Sequence, residues 1–394
     1  SASFRSPSPI FSAGSSVHSS DLDSSDRVVL NRLMNEQAYP QPSLSKVAAT
    51  LSKISSSKYL KPVCSCLSLV ASWLGVSNNI VFNLLHWGHF FYFLIFFPTG
   101  VATVFCLGKD EHVFNLLAHF IKGGVFFSLG LLSLARYSGA FSNFGWAWNS
   151  RYIYKNSYKT FMISMEMVES LLILFYGCTN IFMEHLASPG GEWTAKDLQH
   201  VLIAFIYIGA GLCGVITELK LAEWKHEKAL EKLKMALANE PIGSQSVDLS
   251  SIVKASPGFS PNPFPIFTIF WTGVLMSSHA QASELATKVH QQWGNLFVYG
   301  TVFRLMTYLL MIFAPVLDTT LTYPTKPITG LLTSVSLLCG GFVFMELTDP
   351  VMTAFEYRGY TSMFTLNISL GLIALFMAWE MAVLWFRDWL ASRR

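Results

Sequence analysis

Ten histidines are spread along a chain of 394 residues. Six of them (His112, His119, His185, His200, His279 and His290) stand where apolar runs begin or end, and by the topology below they share one membrane level. Carboxylates accompany them. Glu184 directly precedes His185, and Asp197 lies three residues before His200, one helical turn away on a common face. A carboxylate that holds the second ring nitrogen of a ligating imidazole is the usual outer arrangement of a metal site. Imidazole and carboxylate suit zinc, iron or copper, and three or four ligands complete such a centre. His119, His185, His200, His279 and His290, with Glu184 and Asp197, therefore form a candidate ligand pool. Haem b is the other cofactor they could hold: His119 with His200, or His185 with His279 or His290, meet the equal-depth condition of a bis-histidine site. Nothing in the spacing selects haem over a bare metal, or either over histidines that merely bond to neighbouring helices.

A second constellation belongs to the opposite face. His86 and His89 are three residues apart, as are Glu166 and Glu169, so each pair shares a helix face. Arg304 lies about ten residues before the end of its apolar run and Glu169 about eight residues into its own, so their depths agree within about 3 Å at about 1.5 Å per residue. A Glu169–Arg304 pair is expected. It would let both charges be tolerated in a membrane, and a proton or ion path through His86, His89, Glu166, Glu169 and Arg304 is the rival to a purely structural role.

The elements that must position these groups follow from composition. Apolar and aromatic residues make up 52% of the chain and Asp, Glu, Lys and Arg only 13%, too little charge to cover a soluble surface. A disordered chain is excluded by the same aromatic richness. The net charge of +3 gathers into no basic footprint, which argues against a nucleic-acid partner. Eight segments, at 81–107, 113–135, 161–183, 198–217, 264–283, 289–314, 328–346 and 360–386, approach the roughly 20 residues that cross a bilayer. Strands of a membrane barrel alternate and cross in about 10 residues, so that architecture is excluded. The expected fold is all-α, a polytopic helical membrane protein of about eight transmembrane helices.

Lys and Arg then orient it. Arg136, Arg151, Lys155, Lys159, Lys220, Lys225 and others share one side with both chain ends, while Lys109, Lys196, Lys288 and Arg358 stand alone in the loops opposite. Both termini are expected in the cytoplasm and the six histidines on the far side. Residues 1–62 read as a disordered Ser/Pro-rich cytosolic tail. Residues 63–218 hold a lead-in and helices one to four, and 219–263 a cytosolic amphipathic helix with a flexible linker. Residues 264–394 hold helices five to eight and a short tail. There is no P-loop, dinucleotide fingerprint, H-E-x-x-H or G-x-S-x-G motif.

Several long strings carry a family resemblance: HWGHFFYFLIFFPTG at 86–100, GLLSLARYSGAFSNFGWAWN at 130–149, the stretch from 174 to 218, and LLCGGFVFMEL at 337–347. They resemble the yeast YTP-type family of histidine-bearing, multi-spanning fungal membrane proteins, and the resemblance covers most of 81–388. It implies a histidine-bearing hydrophobic core of undefined activity, here His86, His89, His119, His185, His200, His279 and His290 with Glu169, Glu184 and Glu346. The host membrane would be internal (endoplasmic reticulum, vacuole or Golgi) or the plasma membrane. Three readings stay open. One is a metalloprotein or haem protein, including an oxidoreductase. Another is a metal-ion or proton-coupled transporter. The third is a structural adaptor that recruits protein partners through its tail and the 219–240 helix. Membrane lipids are partners under all three.

Overall fold

A computed structural model describes residues 80–392 except 86–87, 90–91, 94, 110–111, 156–161, 184–191, 194, 239–248, 279–280 and 314–324. The serine-rich tail, the lead-in at 63–79, His86, Glu184, His185 and His279 lie outside the described residues, and so does the side chain of Asp197. The chain divides into two compact units, one holding Glu111–Arg393 and the other Pro40–Asp110. Within the latter, Ile95–Val104 is an apolar helix, and Tyr92 stacks on Phe96 with ring centroids 3.9 Å apart.

Among the described residues nine α-helices belong to the larger unit: α1 His112–Tyr137, α2 Met165–Met183, α3 Ala195–Lys220, α4 Ala222–Ala238, α5 Phe264–Ser277, α6 Glu284–Phe313, α7 Ile328–Glu346, α8 Asp349–Tyr357 and α9 Ser362–Ser392. Among the described residues α1, α3, α6, α7 and α9 are long and apolar enough to cross a bilayer. They fall on five of the eight expected spans. The third expected span is α2, of 19 residues, and the fifth shrinks to α5, of 14, which starts behind Pro263. The protein is thus a polytopic helical membrane protein.

Its centre is α7, where 67% of the apolar stretch is buried against 17% in α9, so α9 is left to face lipid. Lipid tails are as apolar as leucine, so helices in a membrane associate through close packing rather than the hydrophobic effect. Small residues make that contact. A Cβ on Gly341 of α7 would lie 2.5 Å from the Phe127 backbone nitrogen of α1, and one on Gly211 of α3 would lie 2.6 Å from that of Leu174 in α2. Between α1, α6 and α7, Trp293, Phe297, Leu338, Val343 and Phe344 fill the core.

At the end of the bundle where α3 finishes, the chain builds a small cap. Strand β1 (Arg151–Tyr154) pairs antiparallel with β2 (Ile252–Ser256), Tyr152 opposite Ala255, and α4 lies on this ribbon. Tyr152, Ile252 and Ala255 bury against Ala229 and Leu233. The amphipathic periodicity at 219–240 therefore serves a protein surface. The flexible linker expected up to 263 is structured from 249 onward, because Ile252 and Ala255 find an apolar face to cover. Two such residues in a Ser-rich stretch are too weak a pattern to show as a strand. Burial pushes the Tyr152 phenol above its ordinary pKa and lowers that of Arg151.

Candidate functional site

Three elements deliver charge to the cap end of the bundle. The last turn of α1 carries Arg136, the first turn of α2 carries Glu166 with Glu169 a turn further, and α6 carries Arg304 with Tyr308 one turn on. All four charges are buried: Arg136 is 1% exposed, Glu166 0%, Glu169 8% and Arg304 6%. Arg304 meets Glu169 as the depth arithmetic requires, Nη2 donating to Oε1 at 3.0 Å and Oε2 at 3.1 Å. Arg136 Nη1 donates to Glu166 Oε1 at 2.9 Å, and Arg304 Nη2 stands 3.6 Å from the same oxygen. Glu166 thus links both pairs into one cluster of two carboxylates and two guanidiniums. Arg304 Nε donates to the Tyr308 hydroxyl at 3.2 Å, which faces Glu166 Oε1 at 3.4 Å.

The cap-side loops close over this cluster. Arg136 Nη2 donates to the Gly258 carbonyl at 3.1 Å, and its guanidinium lies 3.5 Å from the centre of the Trp148 ring. Trp148 has a φ of 58°, a left-handed backbone that a bulky residue adopts only when its surroundings impose it. Asn262, wholly buried, donates to the Gly214 carbonyl at 3.0 Å and fixes the approach to α5. One carboxylate edge stays unmatched: Glu166 Oε2 is buried and has no hydrogen-bond partner among the described residues. Glu169 and Arg304 also line a cleft with Leu129, Ile269, Gly300 and Thr333.

Sequence reasoning found Glu166, Glu169 and Arg304 but counted Arg136 among the charges of an aqueous loop. Trp148, Gly258 and Tyr308 carried no signal of their own. The one available hint was that Glu166 also needed a partner and that Arg136 ends its helix at the same face. His89 belongs to the 40–110 unit, where its Nδ1 donates to the Leu85 carbonyl at 2.7 Å.

At the opposite end of the bundle the histidines are partly assembled. His119 of α1 and His290 of α6 stand edge to face, ring centroids 6.1 Å apart, and Phe344 packs on both. Each Nδ1 donates to the carbonyl four residues earlier, His119 to Asn115 at 2.8 Å and His290 to Ala286 at 3.0 Å. A carbonyl only accepts, so in the neutral rings Nε2 is the basic nitrogen. His200 of α3 lines a neighbouring cleft with Lys122, Asn180 and Trp293. His119 meets His290 because α1 and α6 both flank α7 and approach each other across Phe344; His185, the other partner that depth allowed His290, lies outside the described residues. Among the described residues, no three His, Cys, Asp or Glu side chains converge as metal ligands.

Comparison with known proteins adds a lineage. A family model described as "Protein YTP1-like, C-terminal" matches residues 92–388. An uncharacterized membrane protein of Saccharomyces cerevisiae is 48% identical over 338 residues, 83% of this chain and 51% of the relative. An uncharacterized membrane protein of Schizosaccharomyces pombe is 34% identical over 311 residues, 78% of this chain and 58% of its own length. The protein YTP1 of Saccharomyces cerevisiae is 22% identical over 294 residues, 74% of this chain and 51% of its own. The chain therefore spans about half the length of the curated relatives it matches.

Proposed function

The chain belongs to the YTP1-like family of membrane proteins, and from that premise we propose that it is a proton-coupled carrier with its coupling site at Glu166, Glu169, Arg136 and Arg304. One observation carries the reading: Glu169 and Arg304, paired and buried, border a small void of about 20 Å³, room for one water. Buried ion pairs are poor stabilisers compared with apolar packing, and intramembrane ionisable groups mark ion paths. Protonation of Glu169 removes the charge that holds Arg304, whose Nη2 already stands 3.6 Å from Glu166. Arg304 can then pass from one carboxylate to the other, which gives the cluster two states. The Lys and Arg distribution supports a cytoplasmic position for the cap and both chain ends. An internal fungal membrane or the plasma membrane would house the protein.

The test is proton flux in proteoliposomes holding the full chain, driven by an imposed pH gradient and read with an entrapped pH dye. Glu169→Gln should abolish flux while circular dichroism stays unchanged. A wild-type chain with no flux, or a variant with undiminished flux, overturns the reading.

A second reading is favoured by the His119–His290 contact, in which each Nδ1 bonds a backbone carbonyl as the outer nitrogen of a ligating imidazole does. Zinc, iron, copper or haem b would bind there with His200, and with His185, His279, Glu184 and Asp197 as further donors. A redox role, as in an oxidoreductase, would follow. Elemental analysis and a visible spectrum of purified protein decide it: near-stoichiometric metal or a Soret band, lost in His119→Ala with His290→Ala, is the expected result.

A further inference from the structure

Among the described residues helix α9 buries a single narrow stripe, Thr365, Ser369, Ile373 and Met377, each four residues after the last. The second pair is apolar, as a helix beside lipid requires. The first pair is not: Thr365 and Ser369 carry hydroxyls and are 0% exposed. Thr365 is satisfied within its own helix, its hydroxyl donating to the Thr361 carbonyl at 3.1 Å. Ser369 reaches across to α7, where its Oγ lies 2.9 Å and 3.1 Å from the two carboxyl oxygens of Glu346. The same Oγ lies 2.7 Å from the Thr365 carbonyl.

Counting protons decides how these oxygens are joined. A hydroxyl has one proton, and neither a carbonyl nor a carboxylate has one to give. The shortest contact, to the Thr365 carbonyl, uses the Ser369 proton, so the contact with Glu346 needs a second. A carboxylic acid supplies it, its O–H donating to Ser369 Oγ. The surroundings agree. Ser369 is seven residues into α9, about 10 Å at about 1.5 Å per residue, and Phe364, Ile368 and Leu372 stay exposed around it. That is hydrocarbon depth, where a lone carboxylate is expensive. No cation offsets it: among the described residues Glu346 bonds to Ser369 alone. His119 of α1 and His290 of α6 pack on Phe344, and Lys122 adjoins Gly123 where α1 meets Met345. Asp349 opens α8 and Cys339 lies two turns back on α7, while Glu380, eleven residues past Ser369, is the nearest ionisable group on α9. None of these pairs with Glu346.

We propose that Glu346 is an intramembrane proton-binding site, which carries its proton in the resting protein and presents it to Ser369 at the α7–α9 contact. The site takes a proton rather than a metal cation, because its oxygens bond directly to one another with nothing between them. It is separate from the Glu169–Arg304 cluster, where each carboxylate faces a guanidinium. Thr333 of α7 borders the void beside that cluster, thirteen residues and about 20 Å along the helix from Glu346 at about 1.5 Å per residue. The two sites differ in kind: ion pairs at the cap end of α7, a neutral acid at the other. This assignment does not rest on the carrier reading.

Dicyclohexylcarbodiimide, an apolar reagent, tests it on the full chain in phosphatidylcholine nanodiscs. A protonated carboxyl adds across the C=N bond, its proton passing to nitrogen, and the adduct rearranges to a stable acylurea with no atom lost. At about pH 7, where an ordinary glutamate of pKa about 4.3 is ionised, Glu346 should be labelled at least about tenfold faster than the exposed Glu284 and Glu356, read by peptide mass spectrometry. Ser369→Ala separates the two hydrogen-bond directions. It removes the acceptor of the acid proton, so labelling should vanish at lower pH than in the wild type as pH is raised; a Ser369 that donates to a carboxylate predicts the opposite shift. Infrared difference spectra of wild type against Glu346→Gln give a second readout. The wild type should show the C=O band of an un-ionised acid that the variant lacks, while the variant amide N–H replaces the acid O–H and circular dichroism stays unchanged. Labelling of Glu346 no faster than that of the exposed glutamates, a shift to higher pH in Ser369→Ala, a missing acid band, or protection by sodium chloride beyond that by choline chloride overturns the proposal. No gradient is used here. Glu169-dependent flux without an acid at Glu346 thus defeats this assignment alone, while a labelled Glu346 without flux defeats the carrier reading alone.

Discussion

Glu166 is the residue on which the charge cluster turns. It lies 2.9 Å from Arg136 and 3.6 Å from Arg304, whereas among the described residues Glu169 pairs with Arg304 alone. Replacing Glu166 by Gln leaves the buried Arg136 guanidinium without its carboxylate, and breaking a buried pair costs about 3–5 kcal/mol. Glu169→Gln leaves Arg136 and Arg304 still sharing Glu166, so it should cost visibly less. Thermal unfolding of the two variants in the same detergent checks the order: Glu166→Gln should melt well below Glu169→Gln, and the reverse order would mean that Glu166 is not the common partner. This asymmetry was invisible in the sequence. Two glutamates three residues apart look equivalent, and Arg136, at the end of an apolar run, resembles any cation at a membrane edge. Depth arithmetic could pair Glu169 with Arg304 because both lie well inside their runs. It had no purchase on Arg136, whose burial depends on a loop that returns from residue 258.

At the scale of elements, the cap explains that burial. The phenol of Tyr152 donates to the Ala229 carbonyl at 3.1 Å and so ties β1 to α4, while β2 runs on to Gly258, the acceptor for Arg136. Burial holds the Tyr152 pKa above the usual value of about 10. The sign follows directly. Below about pH 10 the phenol is protonated in folded and unfolded cap alike, and the cap keeps its full stability. Above that pH the unfolded cap releases a proton that the folded one retains, so stability falls as pH rises. Hydrogen exchange of the β2 amides, corrected for intrinsic base catalysis, should show cap opening that grows above about pH 10. Tyr152→Phe should lower stability by about 0.5–1.5 kcal/mol through the lost hydrogen bond and flatten that alkaline rise. Long helices were legible at this scale because their hydropathy repeats over many residues; α1, α3, α6, α7 and α9 fall where expected. The strand pair was not. Each strand is four or five residues, and its partner lies about a hundred positions away.

For the whole molecule, the segregation of ionisable groups to two ends of one bundle was readable, because charges interrupt apolar runs at countable depths. Which histidines meet was not, since contact across α7 depends on helix order in space. One further property follows from α5, whose 14 residues reach about 21 Å at about 1.5 Å per residue, against a hydrocarbon core of about 30 Å. Phe267, Trp271 and Leu275, four residues apart, are its exposed stripe. Within the larger unit the apolar helices are therefore of unequal length, α9 long and α5 short. A bilayer meets such a step by thinning locally, at a cost that grows with each ångström of mismatch. In vesicles of dimyristoyl, dioleoyl and dierucoyl phosphatidylcholine, thermal stability should decline as the acyl chains lengthen. The same mismatch gives α5 a physical preference for thin bilayers over thick ones.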